Sequence, residues 1–514
     1  MRFPVLSTVV FLPAAGAALV LLTRRRGGQT SRGIALTAVC LDLLLALLLD
    51  LFYPTTGGAP AWQEHRAWIP YFGAFYDLAA DGVSLPFVAL TCLLAALAIA
   101  VMRWDREPEP LAAALLLQSA LLGTFLARDA LLFFCFWCLT LAPLAYLTAR
   151  HSPKGGEVAT SLLAYGSAGA LALLLSIVWL ALHRQQITGR LSLDLGWLTS
   201  ARLPWHPQAW LFIALGFAFL SRAGVWPFHR WVVGAHLCLP APAALLLNGP
   251  VLLTGAYGAL RFCLAMAPDA IVVGFPLLVA LLLFGLLYGA AASLAQKDLR
   301  ARIALFASAQ LSLIFLGLFS LNLLGLHGAL LQTMTHALTG SGWLVVCFAL
   351  AQGQPDASLE RLRGSLGRGS VAAGLFVLSL AWVGLPGTGG YPAVLLIMTS
   401  LLNIYWWLAP LLALGLLVLA AALFITLRQA CSALPEAAPR RLRIREIGAL
   451  LTALVLSVWL GLVSQIVTSR SHSSLVRLSV QSALAQTMPL GQQTLSAPES
   501  PFLTLPQMRQ GHRR

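Results

Sequence analysis

Arg222 is the residue whose type and position point most directly to chemistry in this chain. It lies within the apolar stretch of residues 211–231, LFIALGFAFLSRAGVWPFHRW. A cation near the middle of a membrane span costs roughly 2.5–3.5 kcal/mol, so it normally faces a protein interior or a water-filled cavity and marks an ion or substrate path. Gly224 and Pro227 follow, and proline lacks an N–H and clashes with the preceding turn. We therefore expect a broken helix whose freed backbone groups are satisfied by protein, water or a ligand.

Three histidines are the other candidates for proton transfer, because a relay needs groups that gain and lose a proton near neutral pH. Arg222 does not qualify, since its guanidinium stays protonated; it can set a fixed field or hold an anion. The candidates are His229, His236 and His336, with Thr254 as a hydrogen-bonding neighbour. Each histidine could equally be a hydrogen-bonded structural side chain.

Other reactive residue types give little indication of catalysis. The eight cysteines have no paired spacing in a soluble loop, and Cys135 and Cys138 read as packed thiols on one helix. Asp42 is the only acidic residue clearly inside a span, where a structural pairing or a lipid-edge role is expected. The sequence contains no nucleotide loop, flavin motif or metal-ligand spacing. We expect no cofactor and no redox chemistry by the chain itself.

The composition is that of a polytopic membrane protein. Of the 514 residues, 59% are hydrophobic and 10% are charged, and the apolar stretches are too long and too regular for an outer-membrane barrel. The prediction is an all-α bundle of fourteen spans. These lie near residues 5–23, 33–52, 83–103, 110–127, 129–148, 158–182, 208–230, 242–266, 270–295, 302–321, 325–351, 371–401, 406–428 and 446–468.

The distribution of arginines explains the net charge of +15 without nucleic acid. Most basic loop residues follow odd-numbered spans, beginning with Arg24, Arg25 and Arg26. Loops after even-numbered spans, before the tail, hold only six arginines, among them Arg128 and Arg261. The positive-inside rule then places both termini outside. The first span is expected to remain, because no small-residue cleavage site separates it from these arginines.

Two spans are interrupted, and they lie five spans apart. The seventh breaks at Gly224 to Pro227, and the twelfth at residues 384–390, which include Pro386 and Gly387. Interruptions at corresponding positions of two halves predict inverted repeats with the functional path at the breaks. The alternative is that the prolines merely kink packed helices.

The predicted units follow from this symmetry. Three N-terminal helices precede two five-helix repeats, then come a basic loop with the last helix, and a polar tail expected to be loosely ordered or to form a short surface helix. Their bounds are 1–103, 104–267, 268–430, 431–468 and 469–514.

Four ordered blocks resemble the antiporter-like membrane subunits of respiratory NADH:quinone oxidoreductase (complex I), chain M (chain 4) above all. They are SRAGVWPFHRWVVGAHLCLPAPAALLLNGPVLLTGAYGALRF from Ser221, WIPYFGAFYDLAADGVSLPFVALT from Trp68, QKDLRARIALFASAQ from Gln296 and LAWVGLPGTGGY from Leu380. The resemblance covers about residues 68–466. It implies a fourteen-helix subunit with broken helices 7 and 12, two inverted five-helix repeats and a polar axis that relays protons.

The chain departs from that family at most positions of the axis. The family's glutamate in span 5 falls on Cys138, and its lysine in span 7 falls on Arg222. The lysine of span 8 falls on Leu253, and the glutamate of span 12 on Val394. Of these titratable positions only a histidine, His336, is retained. The loss makes proton conduction by this chain doubtful.

Two functions remain open on the sequence. The resemblance implies a membrane-arm subunit of a complex-I-like assembly in a bacterial cytoplasmic membrane. It would contact other membrane subunits and the lipid bilayer, while quinone and NADH would be handled only by partner subunits. The alternative is the membrane half of a cation/proton antiporter or an inorganic-carbon uptake system that works with a soluble partner.

Overall fold

The structure, a computed structural model, describes residues 4–54, 60, 62–101, 108–200, 203–351, 358, 369–432 and 442–487. These residues are mostly helical. The helices are α1 Val5–Leu22, α2 Gly28–Leu51, α3 Ser84–Val101, α4 Glu109–Leu126, α5 Ala130–Arg150, α6 Gly155–Thr188, α7 Leu195–Thr199, α8 Trp205–Ala223, α9 Arg230–Cys238, α10 Ala241–Met266, α11 Pro268–Ala295, α12 Leu299–Phe319, α13 Leu323–Ala351, α14 Ser370–Val383, α15 Gly390–Leu402, α16 Leu408–Cys431, α17 Ile444–Leu462 and α18 Ser464–Thr487.

Twelve helices within these ranges are long and apolar enough to cross a membrane: α1 to α6, α10 to α13, α16 and α17. The most apolar windows of α10 and α12 are completely buried, whereas that of α2 is one-third buried. Helices that are apolar on all sides suit a bundle whose inner members contact protein and whose outer members contact lipid. The core of the bundle therefore lies around α10 and α12. Fourteen spans, counting the two broken segments, and the inverted repeats remain predictions, as do the five unit boundaries.

Both predicted breaks are present and share one geometry. Helix α8 ends just before Gly224, whose φ is 66°, and α14 ends just before Gly384, whose φ is 87°. Each glycine occupies the left-handed region that side chains disfavour, and the residue after it donates a backbone hydrogen bond to a carbonyl in the last turn of the helix. Val225 N–H donates to Leu220 O at 3.2 Å, and Leu385 N–H donates to Leu380 O at 3.0 Å.

Helix α10 is irregular, which the sequence reading did not anticipate for the eighth span. It contains two π-helical segments, Leu247–Val251 and Ala259–Cys263. Pro250 lies inside the first and cannot donate a backbone bond, and Gly249 has non-helical angles of φ −90° and ψ −106°. The bulge therefore exposes the backbone around Asn248 to other helices.

Two further elements correct the purely helical prediction. Strands β1 Trp62–Ile69 and β2 Ala74–Ala80 form an antiparallel hairpin between α2 and α3. Strand β1 is mostly exposed, since four consecutive polar residues occupy positions 63–66, and Gly73, with φ 60°, makes the turn.

The start of the tail is ordered. Residues 464–487 form α18, in which Leu475 is completely buried. The Ser474 hydroxyl accepts from Gly82 N–H at 3.2 Å, and Arg470 forms an ion pair with Asp50. A helix is thus present over these residues, in place of the loosely ordered tail, and its location at a membrane surface stays a prediction. Residues 488–514 lie outside the described residues.

Candidate functional site

Arg222 lies in the last turn of α8, directly before the break, and is only 4% exposed. Its Nε donates to Thr254 Oγ1 of α10 at 3.2 Å, and its Nη2 donates to Thr140 Oγ1 of α5. Each hydroxyl gives its own proton to a carbonyl, Thr254 to Val251 O and Thr140 to Trp137 O. Their lone pairs are therefore fixed as acceptors toward the guanidinium.

The ring of Trp137 completes this environment, with the guanidinium carbon 5.2 Å from the ring centroid. Two charged hydrogen bonds contribute about 1.5–3 kcal/mol each and a desolvated cation–π contact about 2 kcal/mol. These sum to the same order as the several kcal/mol that burying a cation costs. We call Arg222, Thr140, Thr254 and Trp137 the Arg222 cluster.

Both hydrogen-bond acceptors of Arg222 are neutral side-chain hydroxyls. Among the described residues, no carboxylate oxygen lies within 4.0 Å of an Arg222 nitrogen. A cleft adjoins the cluster, with about 250 Å³ of empty space including the solvent at its mouth, and is lined in part by Tyr165, Ser221 and Trp231. The site thus holds a cation by neutral groups beside a small, mainly apolar space.

Cys138, Leu253 and Val394, the three positions predicted to differ from the family, supply no acid or amine. Cys138 is partly buried and follows Trp137 directly, and Leu253 is completely buried beside Thr254. Val394 lies at the second break, where it is 7% exposed on α15 and packs against Gly384, since a Cβ on that glycine would lie 2.6 Å from its Cγ2. The packing at the second break is therefore apolar at this position.

A second group of polar residues surrounds His336 of α13, which is completely buried. Its Nε2 lies 3.0 Å from Asn248 O, and the Trp382 indole N–H donates to its Nδ1 at 3.4 Å. Because a carbonyl only accepts and an indole only donates, these partners select the neutral ring with its proton on Nε2. We call His336, Asn248 and Trp382 the His336 cluster.

His236 borders the His336 cluster from α9. It is completely buried, and its Nδ1 lies 2.9 Å from Val232 O. Its Nε2 and both amide atoms of Asn248 are buried without a hydrogen-bond partner among the described residues. Such groups normally bind buried water. The region between His236 and Asn248 is accordingly a place where water could be held.

His229 is the predicted candidate that lies apart from both clusters. It precedes α9, is partly buried, and its ring packs edge-on against Tyr288 with centroids 5.2 Å apart. Asp42, by contrast, is completely buried and accepts from Gln118 Nε2 at 2.6 Å and from the Cys92 thiol at 3.3 Å. Its structural pairing takes place outside both clusters.

Helix α12 connects the two breaks. Ser308 Oγ donates to Gly224 O at 2.8 Å, and Gln310 Nε2 donates to Trp382 O at 2.8 Å. Two side chains of one central helix therefore satisfy the carbonyls that the two interruptions leave free. The sequence analysis did not predict this role for Ser308 and Gln310.

The sequence reading missed Thr140, Trp137, Asn248 and Trp382 as site residues. A signal existed for one of them, because Asn-Gly-Pro at residues 248–250 is a helix-breaking tripeptide inside an apolar segment. Thr140 and Trp137 carried no comparable local signal, since Thr140 meets Arg222 across 82 residues of sequence.

Comparisons with known proteins agree with this architecture. Residues 127–420 match the family described as NADH:quinone oxidoreductase/Mrp antiporter, transmembrane. The chain is 31% identical over 410 residues to an NAD(P)H-quinone oxidoreductase chain 4 of Picosynechococcus sp., covering 78% of this chain and 73% of the relative. It is 29% identical over 491 residues to NADH-quinone oxidoreductase subunit M of Escherichia coli, covering 91% and 96%.

A solved structure supports the fold. A chain of respiratory complex I from Thermus thermophilus with bound NADH superposes with a TM-score of 0.83 at 24% identity, covering 93% of this chain and 99% of the other. With the family match spanning more than half of its length and this shared fold, the chain belongs to the family of antiporter-like, multi-pass membrane subunits of NADH:quinone oxidoreductases and Mrp antiporters.

Proposed function

We propose that this chain is a membrane-arm subunit of an NADH:quinone oxidoreductase-like respiratory complex in a bacterial cytoplasmic membrane, with both termini outside. The observation that carries the proposal is the near full-length similarity to subunit M, 91% of this chain against 96% of the relative. NADH and quinone would be handled by partner subunits, because the described residues contain no cluster of three metal ligands and the sequence has no nucleotide-binding motif.

We further propose that Arg222 is a fixed charge with a structural role and that the chain does not relay protons along the family's lysine–glutamate axis. A guanidinium does not release a proton in the working pH range. Thr140 and Thr254, its hydrogen-bond partners, do not titrate either. Cys138, Leu253 and Val394 supply no compensating charge.

His236 and His336 are the titratable groups that a remaining proton path would use, and the Asn248 carbonyl accepts a hydrogen bond from His336. For His336 to accept a second proton at Nδ1, the indole N–H of Trp382 would have to move away, because that nitrogen is its acceptor. This arrangement favours a structural histidine. The variant His336→Gln, which can still donate to Asn248 O, tests the point through proton flux.

The second candidate function, the membrane half of a cation/proton antiporter, rests on the family description, which includes the Mrp antiporter. Copurification separates the two. A tagged chain extracted from its native membrane in mild detergent should bring down a multi-subunit assembly with quinone-reductase activity. Recovery with only cation-antiporter subunits, or with a lone soluble partner as in inorganic-carbon uptake, would contradict the respiratory assignment.

A further inference from the structure

A cavity near the ends of several spans collects three arginines from separate elements. They are Arg128 between α4 and α5, Arg261 near the end of α10, and Arg477 on α18, and Asp81 lines the same cavity. The empty space is about 640 Å³, including the solvent at its mouth. Arg128 and Arg261 belong to the arginine-poor side of the predicted topology, where basic residues are few. Their convergence in one cavity therefore calls for a specific explanation.

One of the three positive charges is neutralised. Arg261 Nη2 donates to Asp81 Oδ1 at 2.6 Å, and the same oxygen accepts from Val83 and Ser84 N–H at 3.1 and 2.8 Å. Burial alone would raise the pKa of Asp81, but the adjacent Arg261 charge and these hydrogen bonds lower it to about 2. Three arginines and one ionised aspartate leave the lining with a net charge of +2.

The other two arginines have no ion pair within 4.0 Å among the described residues. Arg128 is fixed by its backbone, which donates to Asp77 O and accepts from Leu195 N–H, both at 2.9 Å. Arg477 is placed by α18, one turn beyond Ser474, which is bound to Gly82. The charge of Arg128 also acts on Asp81, but neither arginine side chain has an acidic group at ion-pair distance among the described residues.

The remaining lining is apolar or small, with Leu195, Ala265 and Leu478 beside the arginines. The cavity lies where α3 begins and where α4 and α10 end, which is the headgroup level of one leaflet if these helices span the membrane. Guanidinium forks match the oxygens of phosphate in two-point hydrogen bonds. We propose that this cavity binds a phosphate-class anion, supplied either by the headgroup of an anionic lipid or by free phosphate.

The test uses the full-length chain purified in mild detergent. Native mass spectrometry measures retention of phosphatidylglycerol against phosphatidylcholine, and calorimetry measures binding of inorganic phosphate. The double variant Arg128→Gln/Arg477→Gln leaves the Arg261–Asp81 pair intact. Its matched control is Arg66→Gln/Arg190→Gln, which removes the same charge from exposed residues outside the cavity lining.

We expect the wild-type chain and the control to bind phosphatidylglycerol or phosphate at least about tenfold more tightly than the double variant does. The loss of one charged hydrogen bond weakens binding by about that factor. Retained lipid that phosphate does not displace would identify the headgroup. Binding of phosphate alone would identify the free anion. The proposal is overturned if both lipids are retained equally and phosphate does not bind, which is the result expected if the cavity instead holds an acidic segment of a partner. It is also overturned if the double variant binds lipid and phosphate as tightly as its control.

Discussion

Arg222 stands at the position predicted for a lysine of the family, and a guanidinium there changes what the site can do while keeping its charge. Lysine can lose its proton when desolvated, whereas arginine keeps it, so Arg222 gives the site a permanent charge. Here the charge is shared among two threonine hydroxyls and an indole ring. The contacts of Arg222 therefore favour a structural role over proton transfer.

This assignment predicts the cost of removing the hydroxyls. Thr140→Val and Thr254→Val keep side-chain volume but leave a buried charged donor unpaired, so each should lower the free energy of unfolding by about 1–3 kcal/mol. Denaturant unfolding of the purified chain in mixed micelles measures this change in the free energy of unfolding. Thr91→Val is the matched control, because Thr91 is completely buried but bonds only Phe87 O of its own helix. Equal losses in all three variants would mean that the threonines do not hold Arg222.

At the element scale, each broken helix depends on one side chain of α12. The Gly224 and Trp382 carbonyls accept from Ser308 and Gln310, which are two residues apart. Such carbonyls would otherwise be unpaired in a water-poor interior. One helix thus stabilises both interruptions.

Ser308→Ala and Gln310→Leu should each lower the free energy of unfolding by about 1–3 kcal/mol, because each leaves a buried carbonyl unpaired. Hydrogen exchange should accelerate at the break that loses its donor and not at the other. Ser312→Ala is the control, since the Ser312 hydroxyl bonds only Ser308 O within α12. Faster exchange at both breaks in each variant would contradict the one-to-one assignment.

Asp129, in the loop before α5, should make the stability of the chain depend on pH. Burial raises the pKa of Asp129 from an ordinary 3.8 to about 6, with Asp194 adding to the rise, although Phe75, Leu131 and Leu132 N–H groups oppose it. The folded chain therefore binds this proton more tightly than the unfolded chain. Its contribution to stability is complete below about pH 4 and is lost as the pH rises through about 6.

The melting temperature of the wild-type chain, compared with that of Asp129→Asn, tests this sign. The difference, wild type minus variant, should fall by a few degrees between about pH 4 and 7 and then stay constant, because asparagine caps the helix without titrating. A difference that is independent of pH, or that increases with pH, would contradict it.

The sequence predicted the elements that local chemistry determines. Glycine and proline at residues 224–227 and 384–390 gave both breaks, and one arginine in an apolar segment gave the centre of the site. The hairpin was not predicted because its first strand is too polar to be a span and lacks the alternation of polar and apolar residues that marks a strand. The partners of Arg222 escaped because packing between distant helices, and not local pattern, brings Thr140 and Trp137 to it.

At the scale of the whole molecule, the chain has the fold of an antiporter-like subunit, whereas Cys138, Arg222, Leu253 and Val394 stand at the four positions predicted for relay groups of the family. The buried core around α10 and α12 holds both polar clusters together. A fold can persist while its relay groups are replaced, since packing and helix ends need shape and hydrogen bonds but not titratable groups. Assembly of this chain into a complex therefore does not require that the chain conducts protons.

The measurement that tests this most directly is the number of protons moved per electron pair by vesicles containing the assembled complex, compared for wild type, Arg222→Lys and Arg222→Leu at equal amounts of complex. We predict an unchanged ratio in all three, with the leucine form giving fewer assembled complexes because its cluster loses the charge it is built around. A large loss of protons per electron pair in the leucine form, with the lysine form intact, would show that this cation takes part in transport and would contradict the structural role proposed for it.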